Sequence, residues 1–338
     1  MSRLTENILS SQALCLPLPE EVVYEILTWL PVKSLIQFSD NTFSLISSIE
    51  FPFKCRRITG FCNGMIYIYC VGSIIYLCNP SIRKFKKVVG TCLPDSLNCA
   101  HHVTVGLAYH SQSNDYKILR FMFNVHRVST EERVMSVKAE LYTLSTDLWR
   151  KVVISVDSLS KSVHNIDATP CLFFNGGLHS IAYTPDHKFI LSFDVNDESF
   201  CEIMLPQNYL DGISLDSEHL VVFKGLLALI VFEQSGICYI WLMQEYGLVE
   251  SWTKRSIPVS GIKNFFGCTV NGEFLITKYS PYGFLSCDPK RIILLDPESL
   301  NEKKILGIPG NADVTYTANL MENLVLLNEV NVSSEDET

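Results

Sequence analysis

Cys171-Leu172-Phe173-Phe174-Asn175-Gly176-Gly177-Leu178-His179-Ser180-Ile181-Ala182-Tyr183 consists of two short apolar runs joined at Asn-Gly. That dipeptide between apolar runs is the strongest short hairpin signal, because both residues accept the positive φ that a tight turn demands. Two further runs of strand length follow before the next break. The unit therefore reads as four strands, Cys171 to Asn175, Leu178 to Tyr183, Phe189 to Asp194 and Phe200 to Leu205.

The unit recurs. The same Gly turn stands at Cys62-Asn63-Gly64, Phe223-Lys224-Gly225 and Asn271-Gly272. A second element, a polar turn leading to an aromatic residue, appears as Asn79-Pro80-Ser81 before Phe85 and Ser145-Thr146-Asp147 before Trp149. It appears again as Asp194 to Ser199 before Phe200 and as Glu245-Tyr246-Gly247 before Trp252, and Asp296-Pro297-Glu298-Ser299 leads in the same way to Ile305. Trp149, Phe200, Trp252 and Ile305 follow one another at 51, 52 and 53 residues. Four strands at roughly fifty-residue spacing make a blade of a kelch-like β-propeller. The fold expected is mainly β, with five readable four-stranded blades. A partial sixth, Val314 to Leu320 and Leu324 to Asn328, would complete a blade begun near Arg57 and close the ring, leaving no open sheet edge.

Bulk properties narrow the function. The 338 residues are 47% hydrophobic and 19% charged, enough to bury a sizeable core. A net charge of −9 argues against a nucleic-acid surface, which needs a surplus of Lys and Arg. Residues 1 to 15 lack the continuous apolar stretch of a secretory signal. The longest apolar run, Leu226 to Phe232, is strand-length, so no membrane partner and a cytoplasmic or nuclear location are expected. Twelve cysteines without a C-x-x-C pair point to reduced, buried thiols. Cys92, Cys99, His101 and His102 match no standard zinc spacing, and neither a metal nor another cofactor is expected.

Catalysis has no visible seat, since no nucleophile elbow, phosphate loop, H-E-x-x-H or dinucleotide fingerprint is present. Asp194, Asp197, Glu198, Asp296 and Glu298 occupy equivalent turns, where short acidic side chains bond their own backbone, so they read as turn formers rather than a carboxylate pair. Arg83, Lys84, Lys86 and Lys87 read as a solvated strand face. Trp149 and Trp252 read as blade packing. The histidines are dispersed and none is assigned as a general base. Binding is expected at loops on one end of a rigid scaffold, with Val89 to His102, Asn124 to Val137, Ser155 to Thr169 and Gln207 to Ser217 the longer candidates.

The N-terminus is of another kind. From Leu18 to Phe38 two short amphipathic helices are expected, each opened by a proline, Pro19 and Pro31, where a missing N–H costs nothing. Val22, Val23, Ile26, Leu27 and Leu30 line one face of the first, and Val32, Leu35, Ile36 and Phe38 one face of the second. Helices of this length are marginal alone, so they must dock on their own domain or on a partner.

The spelling L-P-x-E, then I-L-x-x-L-P-V-K-S-L, then Phe resembles the F-box of plant ubiquitin-ligase receptors. By that resemblance Leu18, Pro19, Ile26, Leu27, Leu30, Pro31, Val32, Leu35 and Phe38 face a Skp-type adaptor and, through it, a cullin scaffold. Gly60 to Gly64, Leu77 to Phe85, Ser113 to Lys117, Ala139 to Leu144, Trp149-Arg150 and Ile190 to Asp194 are similar to the plant F-box-associated domain, a class that includes the S-locus F-box proteins of pollen. The resemblance implies a non-enzymatic substrate-recognition subunit of an SCF ubiquitin ligase, binding an unidentified target protein. One departure is plain: Ser39-Asp40-Asn41-Thr42-Phe43 is shorter than the family's pattern and lacks its basic stretch and Trp. That keeps open a propeller binding a protein or glycan with a degenerate F-box that no longer recruits the ligase. The organisation expected is a flexible start at 1–15, a helical F-box with a shortened third helix at 16–50, a linker at 51–57, the propeller at 58–330 and an acidic disordered tail at 331–338.

Overall fold

A computed structural model describes residues 55–70, 74–88, 103–127, 133–156, 162–167, 169–279 and 292–304. They form five antiparallel sheets, each a meander in chain order. Blade A holds β1 (Cys55–Cys62), β2 (Met65–Cys70), β3 (Ile75–Asn79) and β4 (Lys84–Val88). Blade B holds β5 (Val103–His110), β6 (Asp115–Arg127), β7 (Arg133–Thr143) and β8 (Leu148–Val152). In blade C a two-residue strand, β9 (Asn165–Ile166), pairs with β11 (Gly177–Tyr183), which lies between β10 (Leu172–Phe174) and β12 (Lys188–Asp194), with β13 (Phe200–Met204) outermost. Blade D holds β14 (Leu215–Phe223), β15 (Leu226–Glu233), β16 (Ile237–Met243) and β17 (Trp252–Pro258). Blade E holds β18 (Ile262–Cys268), β19 (Phe274–Lys278), β20 (Ile293–Leu295) and β21 (Glu302–Lys304).

The propeller arrangement follows from which strands meet. The first strands touch one another in the order β1, β5, β10, β14, β18, so they surround the axis and the fourth strands form the rim. Blades B, C and D bury both faces against neighbours, and the core is a series of layers between blades. Leu107, Tyr116, Ile118 and Tyr142 of blade B pack on Tyr67 and Leu77 of blade A. Leu119, Phe121 and Leu141, on the other face of blade B, meet Leu178, Ala182, Phe189, Leu191 and Phe193 of blade C. Ile181, Ile190 and Ile203 then meet Leu227, Leu229 and Val231 of blade D, whose other face packs Phe223, Ile230 and Phe232 on Phe274 and Ile276 of blade E. Double-sided burial explains why β15 is an unbroken apolar run, buried from Leu227 to Phe232, whereas a strand with one wet face would alternate. Each large side chain so buried contributes about 1.5–3 kcal/mol.

Turn chemistry sets the register. Asn175 and Gly176 stand at φ of 48° and 75°, and Lys224 and Gly225 at 50° and 81°, the twice-positive pattern of a two-residue hairpin turn. Between third and fourth strands, Asn79 Oδ1 accepts from the Ser81 N–H, Asp194 Oδ1 from those of Asn196 and Asp197, and Asp296 Oδ1 from that of Glu298. The expected turn role of Asp194 and Asp296 is thus what the structure shows. On the rim, Lys84, Lys87, Arg150, Lys151, Lys254, Arg255 and Lys303 stud the outermost strands, a charge pattern that discourages edge-to-edge pairing.

Two readings of the sequence change. Asn124 to Val137 is mostly not a loop: β6 and β7 run through it, paired from Phe123↔Val137 to Arg127↔Arg133. The β-branched residues Val125, Val134 and Val137 favour that extension. β1 also begins at Cys55, inside the stretch read as linker. The partial sixth unit and the F-box lie outside the described residues.

Candidate functional site

The two ends of the propeller differ in how chain crosses them. One end carries the connections from first to second and from third to fourth strand, such as 63–64, 175–176, 224–225, 80–83 and 144–147. The other carries the connections from second to third strand and from blade to blade, among them 184–187, 205–214, 234–236 and 259–261. Of the four stretches expected as loops, Gln207 to Ser217 lies at this second, long-loop end; Asn124 to Val137 is mostly strand, Val89 to His102 lies outside the described residues and Ser155 to Thr169 partly so.

At the short-turn end side chains fasten each blade to the one before it. Asp147 of blade B holds Lys86 of blade A at 3.0 Å. Glu198 of blade C takes Lys117 at 2.8 Å and also pairs with Arg150, both of blade B. Glu298 of blade E reaches Lys224 at 2.5 Å and Arg255 at 3.9 Å, both of blade D. The joint between C and D is made differently. His179 Nδ1 faces the Leu172 carbonyl at 3.3 Å, so that nitrogen carries the proton and Nε2 accepts from the Tyr246 hydroxyl of blade D at 2.6 Å, with Ser192 Oγ at 3.1 Å. Burial holds the His179 imidazole down to about 4, which keeps it neutral and able to accept. Asp147 and Glu198 both stand at positive φ, 56° and 55°, so the turn backbone aims their side chains at the neighbouring blade.

The long-loop end over blades C and D gathers titratable groups instead. Thr184 Oγ1 accepts from the His187 N–H at 3.1 Å and closes the β11–β12 hairpin, which brings Tyr183 opposite Lys188. Lys188 Nζ donates to Glu218 of β14, and the Tyr209 hydroxyl donates to the other Glu218 oxygen at 3.0 Å. The same ammonium lies 5.2 Å from the Tyr183 ring centre and 5.7 Å from that of Tyr209. The Glu218 side chain is 8% exposed and that of Lys188 19%. Burial lowers the Lys188 ammonium to about 8, against the opposing pull of Asp167. Burial, and then the Asp167 charge, raises the Tyr183 phenol. His219 on β14 is pushed down to about 4 by burial, with Asp167 and Asp216 opposing. Asp167 is itself fixed by the Thr169 N–H at 3.0 Å, and its carbonyl accepts from Thr104 of blade B at 2.7 Å. His187 Nε2 sits 2.5 Å from Glu202.

Ser–His contacts exist at Ser113–His110, Ser192–His179 and Ser217–His219, at 2.6, 3.1 and 3.3 Å. Among the described residues no carboxylate hydrogen-bonds the other nitrogen of any of these rings, as a nucleophile-activating triad would need. No group of three or more His, Cys, Asp or Glu among the described residues could hold a metal ion.

The residues chosen from the sequence divide accordingly. The adaptor-facing set, Leu18 to Phe38, lies outside the described residues, as do Cys92, Cys99, His101 and His102. Glu198 and Glu298 prove to be inter-blade partners as well as turn residues. Lys86 departs from the solvated strand face expected of its run: it is 6% exposed and paired. Trp149 packs at 5.3 Å on Tyr142, and Trp252 Nε1 donates to the Met204 carbonyl of blade C at 3.1 Å, consistent with blade packing. Lys188 of β12, Tyr209 of the connection between blades C and D and Glu218 of β14 join only in the fold. Tyr209 alone lies within a stretch nominated from the sequence, Gln207 to Ser217.

Comparison with known proteins agrees with this architecture. The model of a family described as "F-box associated beta propeller domain" matches residues 28–325. The chain is 27% identical over 216 residues to the Arabidopsis thaliana F-box protein At3g07870, covering 59% of this chain and 50% of that one. It is 25% identical over 212 residues to the Arabidopsis F-box/kelch-repeat protein At3g23880, covering 62% and 54%. It is 25% identical over 353 residues to the Arabidopsis F-box protein At5g49610, covering 88% and 93%. The chain thus spans about half the length of the first two relatives and nearly all of the third.

Proposed function

The chain belongs to the F-box-associated β-propeller family of plant F-box proteins, and from that membership we propose that it is the substrate-recognition subunit of an SCF-type ubiquitin ligase. Residues 18 to 38 dock a Skp-type adaptor and, through it, a cullin scaffold, while the propeller holds a target protein for ubiquitination. The chain does no chemistry itself and works in the cytoplasm or nucleus. The observation that carries the reading is the family match over 28–325, taken with the F-box spelling of Leu18 to Phe38. The long-loop end is the target-binding end, since long connections on a rigid scaffold can vary without cost to the core.

The adaptor interface is apolar and helical, so a charge at its centre should abolish binding. Co-purification of a Skp-type adaptor with the full chain, wild type against Leu30→Asp, reads this directly. Loss of the adaptor with Leu30→Asp is the expected result, and equal recovery of both sinks the assignment. A second reading is favoured by the shortened Ser39 to Phe43: a propeller that binds a protein or glycan without recruiting the ligase. Wild-type chain that holds its target yet recovers no adaptor would establish it.

A further inference from the structure

Blades C and D are joined by side chains at three levels. At the short-turn end the Tyr246 hydroxyl of blade D meets His179 Nε2 at 2.6 Å and Ser192 Oγ at 3.4 Å, both of blade C. On the outer strands Trp252 Nε1 of blade D donates to the Met204 carbonyl of blade C at 3.1 Å. At the long-loop end Lys188 of β12 donates to Glu218 of β14, with Tyr209 adding its hydroxyl at 3.0 Å from the connection between the blades. Ile181, Ile190, Ile203, Leu227, Leu229 and Val231 fill the layer between these levels.

We infer that blades C and D form a single rigid body, clamped at both ends of their joint by Tyr246–His179 and Lys188–Glu218. Two bonds at opposite ends of one packed layer act cooperatively, because either one alone keeps the layer shut and water out of the other. Separation of the blades then requires both to break. The chemistry of the two clamps also differs. The short-turn clamp is neutral and indifferent to salt. The long-loop clamp is ionic, with 19% of the Lys188 side chain exposed, so salt weakens it. A jointly clamped pair presents Tyr183, Lys188, Tyr209 and Glu218 in one fixed geometry, so whatever binds there meets a preorganised surface rather than one ordered on contact. That last consequence rests on the long-loop end being the target-binding end; the clamp itself does not.

The test is a double-variant cycle on the full chain, read by hydrogen exchange. Tyr246→Phe removes one hydroxyl and Lys188→Met removes one charge with little change of shape. Each alone should raise exchange modestly in the peptides of β11 and β14. Together they should raise it at least about fivefold beyond the product of the single effects, as expected for coupled neighbours. Exchange in β5, on the far side of blade C, should stay unchanged. Multiplicative single effects, each confined to its own end, overturn the clamp, and so does a double variant with wild-type exchange. Should the double variant fail to fold while both singles fold, Tyr246→Phe compared at about 0.05 M and about 1 M salt reads the same coupling, since the longer Debye length at low salt favours the ionic clamp. Salt should then speed exchange in the variant more than in wild type, and an equal response overturns the proposal. None of these readings involves the adaptor, so they stand or fall separately from the Leu30→Asp result.

Discussion

The short-turn end and the long-loop end of this propeller are built from the same strands, yet they use charge in opposite ways. At the first, Asp147, Glu198 and Glu298 are spent on the neighbouring blade. At the second, Asp186 and Asp211 stand exposed, while Lys188, Glu218 and Tyr209 make a compact cluster beside them. Short turns cannot vary in length without shifting strand register, so their side chains are free to specialise in holding blades together. Long connections carry no such constraint. Ion pairs fasten three joints at the short-turn end, whereas at the long-loop end Lys188–Glu218 fastens the C–D joint with exposed charge standing beside it.

That comparison can be broken by substitution, and the largest effect expected belongs to neither end. Arg120 and Glu140 face each other across β6 and β7, both wholly buried, with Nε and Oε1 at 2.7 Å. Glu140→Ala removes a wholly buried carboxylate from beside the Arg120 guanidinium and should cost about 3–5 kcal/mol in urea unfolding. A cost below that of a short-turn pair would mean that the core does not dominate the ends.

Next comes pH. Burial holds His179 and His219 at about 4, below the ordinary value of 6.5. The unfolded chain binds protons in that window that the folded chain refuses, so stability is full above pH 6.5 and falls as pH drops towards 4. Each ring should contribute on the order of 1–3 kcal/mol of that fall. Urea midpoints at several pH values check it, and His179→Asn should flatten the slope. An unchanged slope would show that burial of this ring does not govern its protonation.

At the short-turn end, Glu198→Gln weakens the pairing to Lys117 and Arg150 and should cost about 0.5–1.5 kcal/mol, less in high salt. The smallest effect belongs to the long-loop end: Asp186→Lys, on an exposed turn, should change stability by under about 0.5 kcal/mol. If Asp186→Lys proved as costly as Glu198→Gln, the division of labour between the ends would fail.

Much of the fold is written in local sequence. Asn175-Gly176 announced its hairpin because only residues tolerant of positive φ serve there, and Phe85, Trp149, Phe200 and Trp252 fall at or beside the start of their fourth strands. Phase along a strand is local information, and the repeat multiplied it. Partnership between blades is not local. Nothing near Lys86 names Asp147, sixty-one residues away, and nothing near Lys188 names Glu218. The candidate site turns on one such meeting, Lys188 with Glu218, which is why the stretch holding Tyr209 could be nominated from sequence while those two partners could not. The β6–β7 extension was missed for a different reason. Asn124, Ser129 and Thr130 are turn-prone residues, and they hid a strand signal that pairing to Arg127↔Arg133 makes clear.

The fasteners have a consequence for how such rings change over generations. In blades B, C and E the residue that grips the neighbour, Asp147, Glu198 or Glu298, lies in that blade's own third-to-fourth turn and reaches backwards along the chain. A duplicated blade would therefore arrive with its own grip already encoded, needing only a suitable cation on the unit before it. Copying one fifty-residue module thus copies half of each new joint, which lets the number of blades drift while the manner of joining them is inherited.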